Sequence, residues 1–212
     1  MRASTIKADI DSAYPYGTVD LTGGAIFRKS VWGNRLLAPH PQHIFVPYTL
    51  NMVTICTLHK QHIFDSPAKL QLLQDMLSEV MQVYEWELQA WALFANHTHF
   101  FARSPEDGAS LKRLLKRLHP QSARLVYQID GTPGRRVWFQ YWDTCLAYER
   151  SYYARLNYVQ NNPVKHGLVP IAEQYPFCSA KWFKENADLD LYEKMVSFPY
   201  DRVSVRDDFL ED

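Results

Sequence analysis

The pattern of apolar and polar residues favours strands in four segments of the chain. Residues 45–57 are rich in β-branched and aromatic side chains. Residues 86–94 alternate between apolar and polar positions, and residues 97–102 continue the pattern after a short turn. Residues 137–146 are aromatic and favour an extended segment. The sequence therefore predicts four strands, separated by segments rich in turn residues.

Apolar residues recur with helical spacing between and after these strands. The first helix begins at Ser66, which suits the N-cap, and Pro67, which suits the first helical position. A second helix begins at Ser110, and a third covers residues 149–162. A short fourth helix is expected over residues 180–184.

Two prolines limit these helices. Proline lacks the backbone N–H and clashes with the preceding turn, so Pro120 is expected to kink or interrupt the second helix near His119. Pro163 is expected to end the third helix at Asn162, because the residue before a proline is biased away from helical geometry.

The order of elements is strand, helix, strand, strand, helix, strand and a late helix. This order predicts an α+β fold of the ferredoxin-like split βαβ type, in which an antiparallel sheet carries helices on one face. Residues 1–43 show no periodicity and predict an irregular N-terminal arm. Residues 44–183 then form the main domain, and residues 184–212 an acidic C-terminal tail.

Composition narrows the class of protein. The 212 residues are 47% hydrophobic and 14% aromatic, which indicates a folded globular chain. No apolar run approaches the roughly 20 residues of a membrane span, so no membrane association is expected. The first 12 residues lack the apolar stretch of a secretory signal, and three widely spaced cysteines do not predict disulfides. The cytoplasm is therefore the expected location.

Net charge is zero, which argues against a general duplex-binding protein. Basic side chains nevertheless concentrate on one face of the second helix and near residue 165, while acids collect at the C-terminus. A basic face of this kind either binds a polyanion or is simply a solvated helix surface. The helix face consists of Lys112, Arg113, Lys116 and Arg117.

His97 and His99 are two residues apart on a predicted strand, so both side chains point to the same face. Two imidazoles at this spacing can converge on one divalent ion and leave open positions for substrate oxygens. Thr98 and Phe100 are expected to face the opposite side. The alternative is that both histidines are partly exposed residues of an ordinary strand.

Tyr158 and Asn162 are one turn apart on the predicted late helix, beside Arg155. At 100° per residue these side chains lie within about 60° of one another and away from the main apolar stripe. A cation and an amide are suitable neighbours for a hydroxyl directed at a phosphate. A phenol has a pKa near 10 and needs such help to act as a nucleophile. Alternatively, Tyr158 only closes the edge of the core.

Two segments carry a resemblance to a known family. Residues 91–100 read WALFANHTHF, and residues 158–169 read YVQNNPVKHGLV. Together with the aromatic segment at 138–143, they resemble the HUH single-tyrosine transposases, the insertion-sequence-200-like enzymes and their REP-associated relatives. The resemblance covers roughly residues 44–183, which it identifies as the catalytic domain. Ala95 and Pro120 depart from the family's usual residues.

The resemblance implies a set of roles. Tyr158 is the expected nucleophile, and His97, His99 and Asn162 are the expected ligands of Mg²⁺ or Mn²⁺. The expected reaction cleaves and rejoins single-stranded, hairpin-containing DNA through a 5′-phosphotyrosine, and the expected assembly is a monomer or a homodimer. The side chains expected to contact DNA are Lys112, Arg113, Lys116, Arg117, Arg155 and Lys165.

Two other functions remain open at this point. A domesticated DNA-binding protein would recognise palindromic DNA without transposition. A structural metal site in a protein unrelated to nucleic acids would explain the histidines alone. The complete set of His97, His99, Tyr158 and Asn162 favours the enzyme, since a pure binding protein has no need of a nucleophile.

Overall fold

The computed structural model describes residues 46–146, 148–201 and 203. The predicted N-terminal arm, the start of the first strand and the end of the acidic tail lie outside these residues. The described elements follow the predicted order. They are β1 (Leu50–Thr57), α1 (Pro67–Val83), β2 (Glu87–Leu93), β3 (His97–Arg103), α2 (Ser110–Asp130), β4 (Trp138–Leu146), α3 (Glu149–Lys165), α4 (Ala180–Asn186) and α5 (Leu189–Ser197).

The four strands form one sheet in the order β2-β3-β1-β4, and every neighbouring pair is antiparallel. In the sheet, β3 lies between β1 and β2. In the chain, α1 connects β1 to β2 and α2 connects β3 to β4, which is the split βαβ arrangement. The predicted α+β class, the antiparallel sheet and the fourth strand are therefore confirmed.

Helices cover both faces of the sheet. Val53 and Phe100 point to one face, where they pack with the apolar sides of α1 and α2. Met52 and Phe101 point to the other face, where they pack with α3, α4 and α5. The expectation of helices on one face holds for α1 and α2 but is wrong for α3. Every residue of β1 is buried, so both faces of this strand are covered.

The first helix begins as predicted. Ser66 is extended and accepts a hydrogen bond from the Lys69 backbone N–H at 3.4 Å, and Pro67 occupies the first helical turn. This arrangement satisfies one of the backbone donors that a helix start leaves without a partner.

The expected interruption of the second helix at Pro120 is wrong. α2 runs from Ser110 to Asp130 with Pro120 inside it. Leu118 precedes the proline and Ala123 follows it, and both are buried in the same core. Burial of one continuous apolar stripe on both sides of the proline outweighs the lost backbone hydrogen bond.

The expected end of the third helix at Asn162 is also wrong. α3 continues through Pro163 to Lys165. It ends where Gly167 adopts the left-handed conformation at φ 66°, with hydrogen bonds from Gly167 N–H to Val164 O and from Leu168 N–H to Pro163 O. These two bonds form a Schellman motif, so glycine ends this helix and proline does not.

The C-terminal part of the described chain packs on α3. Leu191 and Met195 of α5 are buried against the α3 side of the sheet. α5 was not expected from the sequence, and the domain boundary at 183/184 stays a prediction. Within the described ranges every helix is too short or too polar to cross a bilayer.

Candidate functional site

β3 brings the two histidines to the sheet face that α3 covers. His97 and His99 pair across the sheet with Cys56 and Thr54 of β1, respectively. Their ring centroids are 5.0 Å apart, and the rings are nearly perpendicular, at 72°. His99 is fully buried and His97 is 9% exposed. The predicted common face is confirmed, because Phe100 packs in the core on the opposite side.

Each histidine is held by a neighbouring polar side chain through Nδ1. Thr54 Oγ1 lies 2.9 Å from His99 Nδ1, and Asn96 Oδ1 lies 2.7 Å from His97 Nδ1. Such contacts fix the orientation of an imidazole and select the nitrogen that carries its proton. With Nδ1 engaged in both rings, a metal ion would be bound through Nε2.

α3 places Tyr158 directly against this pair. The Tyr158 and His99 ring centroids are 5.6 Å apart in an edge-to-face arrangement. Tyr158 is 1% exposed, so the expectation that it lies outside the apolar part of the helix is wrong. Lys165 Nζ donates a hydrogen bond to Tyr158 Oη at 3.2 Å and also lies 4.8 Å from the ring centroid. The neighbouring cation is therefore Lys165.

Asn162 provides the test of whether the site fits a metal ion. Its side chain is fully buried one turn after Tyr158, and neither Oδ1 nor Nδ2 has a hydrogen-bond partner among the described residues. A buried amide without partners is costly, and an amide oxygen is a ligand that Mg²⁺ and Mn²⁺ accept. The two imidazoles and this amide fit such an ion.

The fit depends on the amide. In the part of the chain that the structure describes, no three side chains from histidine, cysteine, aspartate and glutamate are grouped to hold a metal. The expected set contains two histidines and Asn162, which is a different combination of donors. Its role as a ligand set stays a prediction.

His166 is a site residue that the sequence analysis missed. Its ring centroid lies 4.9 Å from that of His97 and 5.2 Å from that of Phe94. Tyr158, Asn162 and His166 follow one another at intervals of four residues, so they share one side of α3. This spacing was a usable signal. The expectation that the helix ends at Asn162 left His166 outside the helix and therefore outside the predicted site.

Arg155 makes a contact within its own helix. Its guanidinium donates a hydrogen bond to Ser151 Oγ, one turn earlier on α3. Partial burial lowers its pKa from the ordinary value. The part of Arg155 in DNA binding stays a prediction.

The basic face of α2 is not near the tyrosine. α2 packs on the face of the sheet opposite to α3. Arg113 is paired with Asp107 at 2.6 Å, and Arg117 with Glu79 at 2.8 Å. The sheet therefore lies between the four basic residues of α2 and the cluster of His97, His99 and Tyr158.

Comparisons with known proteins point to one family. No family model matches the chain. It is 25% identical over 111 residues to the REP-associated tyrosine transposase of Escherichia coli (strain K12), covering 50% of this chain and 62% of the relative. It is also 25% identical over 122 residues to a protein of Haemophilus influenzae with the same family name, covering 51% and 65%. The chain thus spans less than two thirds of the length of these curated relatives.

A solved structure supports the fold. The REP-associated tyrosine transposase bound to a REP hairpin superposes with a TM-score of 0.55 at 19% identity, over 81% of this chain and 94% of that chain. The chain thus shares the four-stranded antiparallel α+β fold of that structure. The resemblance predicted from the sequence is confirmed: the chain is similar to the REP-associated tyrosine transposases.

Proposed function

We propose that this chain is a metal-dependent tyrosine transposase that cleaves and rejoins single-stranded DNA through Tyr158. The observation that supports this proposal most directly is the contact between the two predicted motifs. Tyr158 of α3 lies edge-to-face with His99 of β3, with ring centroids 5.6 Å apart, although the two residues are distant in sequence. The names of the relatives support the same function.

The proposed substrate is DNA that contains a hairpin and a single-stranded flank. The relative of known structure is described as bound to a REP hairpin. Contacts with the DNA determine which loop, stem and flanking sequence this chain selects. The expected cytoplasmic location and the expected monomer or homodimer stay predictions beside this proposal.

His97, His99 and Asn162 are the proposed ligands of Mg²⁺ or Mn²⁺. When bound, the ion supplies Lewis-acid polarisation of the phosphate oxygens. Thr54 and Asn96 hold the two imidazoles in place through Nδ1. Burial of the whole set keeps water away and strengthens electrostatic contacts with a phosphate.

The covalent step is carried by Tyr158. Its Oη attacks the phosphorus atom, and the bond from phosphorus to the 3′ oxygen breaks as the phosphotyrosine bond forms. The phenol gives up one proton, and the released 3′ oxygen takes one up. No oxidant, reductant or nucleoside triphosphate is consumed. Attack by a 3′-hydroxyl reverses the step and rejoins the strand.

Lys165 is proposed to deliver the phosphate to the hydroxyl. Its ammonium group bonds Tyr158 Oη, while the residue as a whole is exposed at the end of α3. Tyr158 itself is 1% exposed, so a phosphate can approach only when its surroundings rearrange. A move of Lys165 Nζ from the phenol to a phosphate oxygen uncovers the nucleophile and neutralises the substrate's charge.

A covalent adduct is the test. The protein is incubated with Mn²⁺ and a hairpin oligonucleotide that has a single-stranded flank, then separated under denaturing conditions. Wild type should form a protein–DNA adduct, and Tyr158→Phe should form none. Tyr152→Phe is a matched control, because it removes another buried hydroxyl of α3 and should retain the adduct. Binding of the hairpin without an adduct would favour the domesticated DNA-binding protein instead.

A further inference from the structure

A cleft opens beside the histidine and tyrosine cluster. It has a volume of about 940 Å³, and its wall includes His97 and His166. The opposite wall is the connection between β1 and α1, with His59, Lys60 and His62. Ligand sites commonly measure roughly 300–1,000 Å³, so the cleft has room for an unpaired nucleotide. Of the residues that line it, only Asn96 and His97 have a role in the chemistry proposed above.

The turn that forms this wall is held in a strained conformation. His59 and Lys60 both have positive φ angles, 53° and 51°. Two consecutive residues of this kind are energetically unfavourable and persist only where the surroundings impose them. Leu58 N–H donates to Val137 O at 2.7 Å, which ties the turn to the segment before β4.

The same turn is bonded to the residue that holds His97. Thr57 Oγ1 contacts Gln61 O at 2.8 Å and Asn96 O at 3.0 Å, and Thr57 N–H donates to Asn96 O at 2.9 Å. Asn96 Oδ1 in turn contacts His97 Nδ1. The cleft wall and the predicted metal site therefore form one connected, fixed structure.

The lining combines cationic and aromatic groups. Lys60 supplies a positive charge, and His59 and His62 supply two exposed imidazoles. Tyr175, stacked on Phe94 with centroids 5.6 Å apart, supplies an aromatic wall. This combination of a backbone-directed cation and flat rings suits unpaired nucleotides, whose bases stack and whose phosphates are charged.

Among the described residues one acid also lines the cleft, and its charge is offset. Asp65 stands just before α1, where Lys69 Nζ binds its carboxylate at 2.8 Å. Lys69 Nζ also binds Asp130 at 2.6 Å, and Arg135 pairs with Asp130, so the two acids are balanced by two cations. The acid therefore does not oppose a phosphate at Lys60. The N-terminus of α1 lies on the same wall through Ser66 and Pro67, and the helix dipole there favours a negative ligand.

We infer that this cleft binds the unpaired deoxynucleotides next to the phosphate that Tyr158 attacks. The inference rests on the proposed function. His97 and His166 border both the cleft and the cluster of His97, His99 and Tyr158. A strand at Tyr158 therefore continues into the cleft around the end of the sheet, where β1 ends and β3 begins. The basic face of α2, on the other side of the sheet, lies off this path.

The experiment compares two oligonucleotides with the full chain. One is a blunt hairpin, and the other is the same hairpin with a single-stranded flank. Their dissociation constants are measured by fluorescence anisotropy in the Tyr158→Phe background, where no cleavage intervenes. The quantity of interest is the gain in affinity that the flank provides. Lys60→Gln combined with His62→Ala tests the cleft, and Lys112→Ala is the control, an exposed lysine on the opposite face.

In the cleft variant, the affinity gain from the flank should fall about tenfold. The dissociation constant for the blunt hairpin should stay unchanged. The variant's slope of log affinity against log salt should fall by about 0.7 for the lost phosphate contact. Lys112→Ala should leave the gain intact. A gain lost in Lys112→Ala and kept in the cleft variant would overturn the inference and place the strand on α2.

The inference and the proposed function fail separately. If the wild type forms the covalent adduct while the cleft variant keeps the full gain from the flank, only the cleft assignment is wrong. If the wild type forms no adduct while the gain depends on Lys60 and His62, the chain binds single strands in the cleft and the proposed chemistry is wrong. Equal melting temperatures of the variants exclude a folding defect.

Discussion

Thr54 Oγ1 lies 2.9 Å from Nδ1 of His99, and the two residues are direct partners across β1 and β3. Both are buried, Thr54 at 3% exposure and His99 at none. A side-chain pair fixed by strand register and by a hydrogen bond leaves the imidazole little freedom. The strand pairing of the core thus sets the orientation of a predicted metal ligand.

Replacing Thr54 should weaken metal binding without removing a ligand. Thr54→Val keeps the side-chain shape and loses the hydroxyl, and loss of such a supporting contact typically costs about 10–100-fold in metal affinity. Titration calorimetry with Mn²⁺ measures this directly. Thr54→Ser retains the hydroxyl and should bind Mn²⁺ like the wild type. Equal affinities in the valine and serine variants would contradict the role of the hydroxyl.

Asn162 should limit stability in the absence of a ligand. Asn162→Leu replaces two buried polar atoms that lack partners among the described residues, so it should raise the free energy of unfolding by about 1–3 kcal/mol. It should also abolish Mn²⁺ binding. Urea denaturation of the metal-free protein gives the first quantity.

A neighbouring amide provides the contrast for that experiment. Gln160 is also buried on α3, and its Oε1 accepts a hydrogen bond from Ser179 Oγ at 3.0 Å. Gln160→Leu removes an acceptor that is in use, together with an Nε2 that lacks a partner among the described residues, and should lower stability because the hydroxyl of Ser179 loses this acceptor. If Asn162→Leu destabilises the metal-free protein as Gln160→Leu does, the asparagine is structural and the ligand assignment fails.

Lys165 should matter for the rate of the covalent step. Lys165→Met keeps the apolar stem but removes the charge beside Tyr158 Oη, and should slow adduct formation by about tenfold or more. Lys165→Arg restores a cation and should recover part of the rate. Initial rates at saturating oligonucleotide separate this effect from DNA affinity. A rate in Lys165→Met equal to that of the wild type would exclude the proposed role.

His119 should make the fold sensitive to acid. Burial lowers its pKa from 6.5 to about 4, and its ring stacks on Trp138 with centroids 5.1 Å apart. Between pH 6.5 and 4 the unfolded chain binds a proton that the folded chain does not, so stability falls as the pH falls through this window. His119→Phe keeps the stacking and should flatten this dependence in urea denaturation curves. Parallel curves for the two proteins would show that another group is responsible.

The order of elements was readable from the sequence because each strand and helix carries its own period. The pairing of His97 and His99 on one face followed from the strand period alone. The late helix was predicted at the right place, and Tyr158 and Asn162 are one turn apart on it as expected. These features depend on local spacing, which a single sequence records.

The remaining features depend on tertiary packing. A helical stripe indicates that a helix buries one side, but not which face of the sheet it covers, so the separation of α2 from Tyr158 was not predictable. α3 is buried on more sides than its apolar stripe suggested, because α5 covers it as well. The continuation through Pro163, which brings His166 to the site, depends on the glycine cap that follows.

The central claim is that Tyr158 becomes covalently joined to DNA. Trypsin should release residues 156–165, because it cleaves after Arg155 and after Lys165, and Tyr158 is the one hydroxyl-bearing residue in that peptide. The adduct formed with Mn²⁺ and a flanked hairpin is digested with nuclease and trypsin and analysed by tandem mass spectrometry. The account predicts a 5′-linked nucleotide remnant on this peptide, at Tyr158. A remnant on any other peptide, with residues 156–165 unmodified, would contradict it.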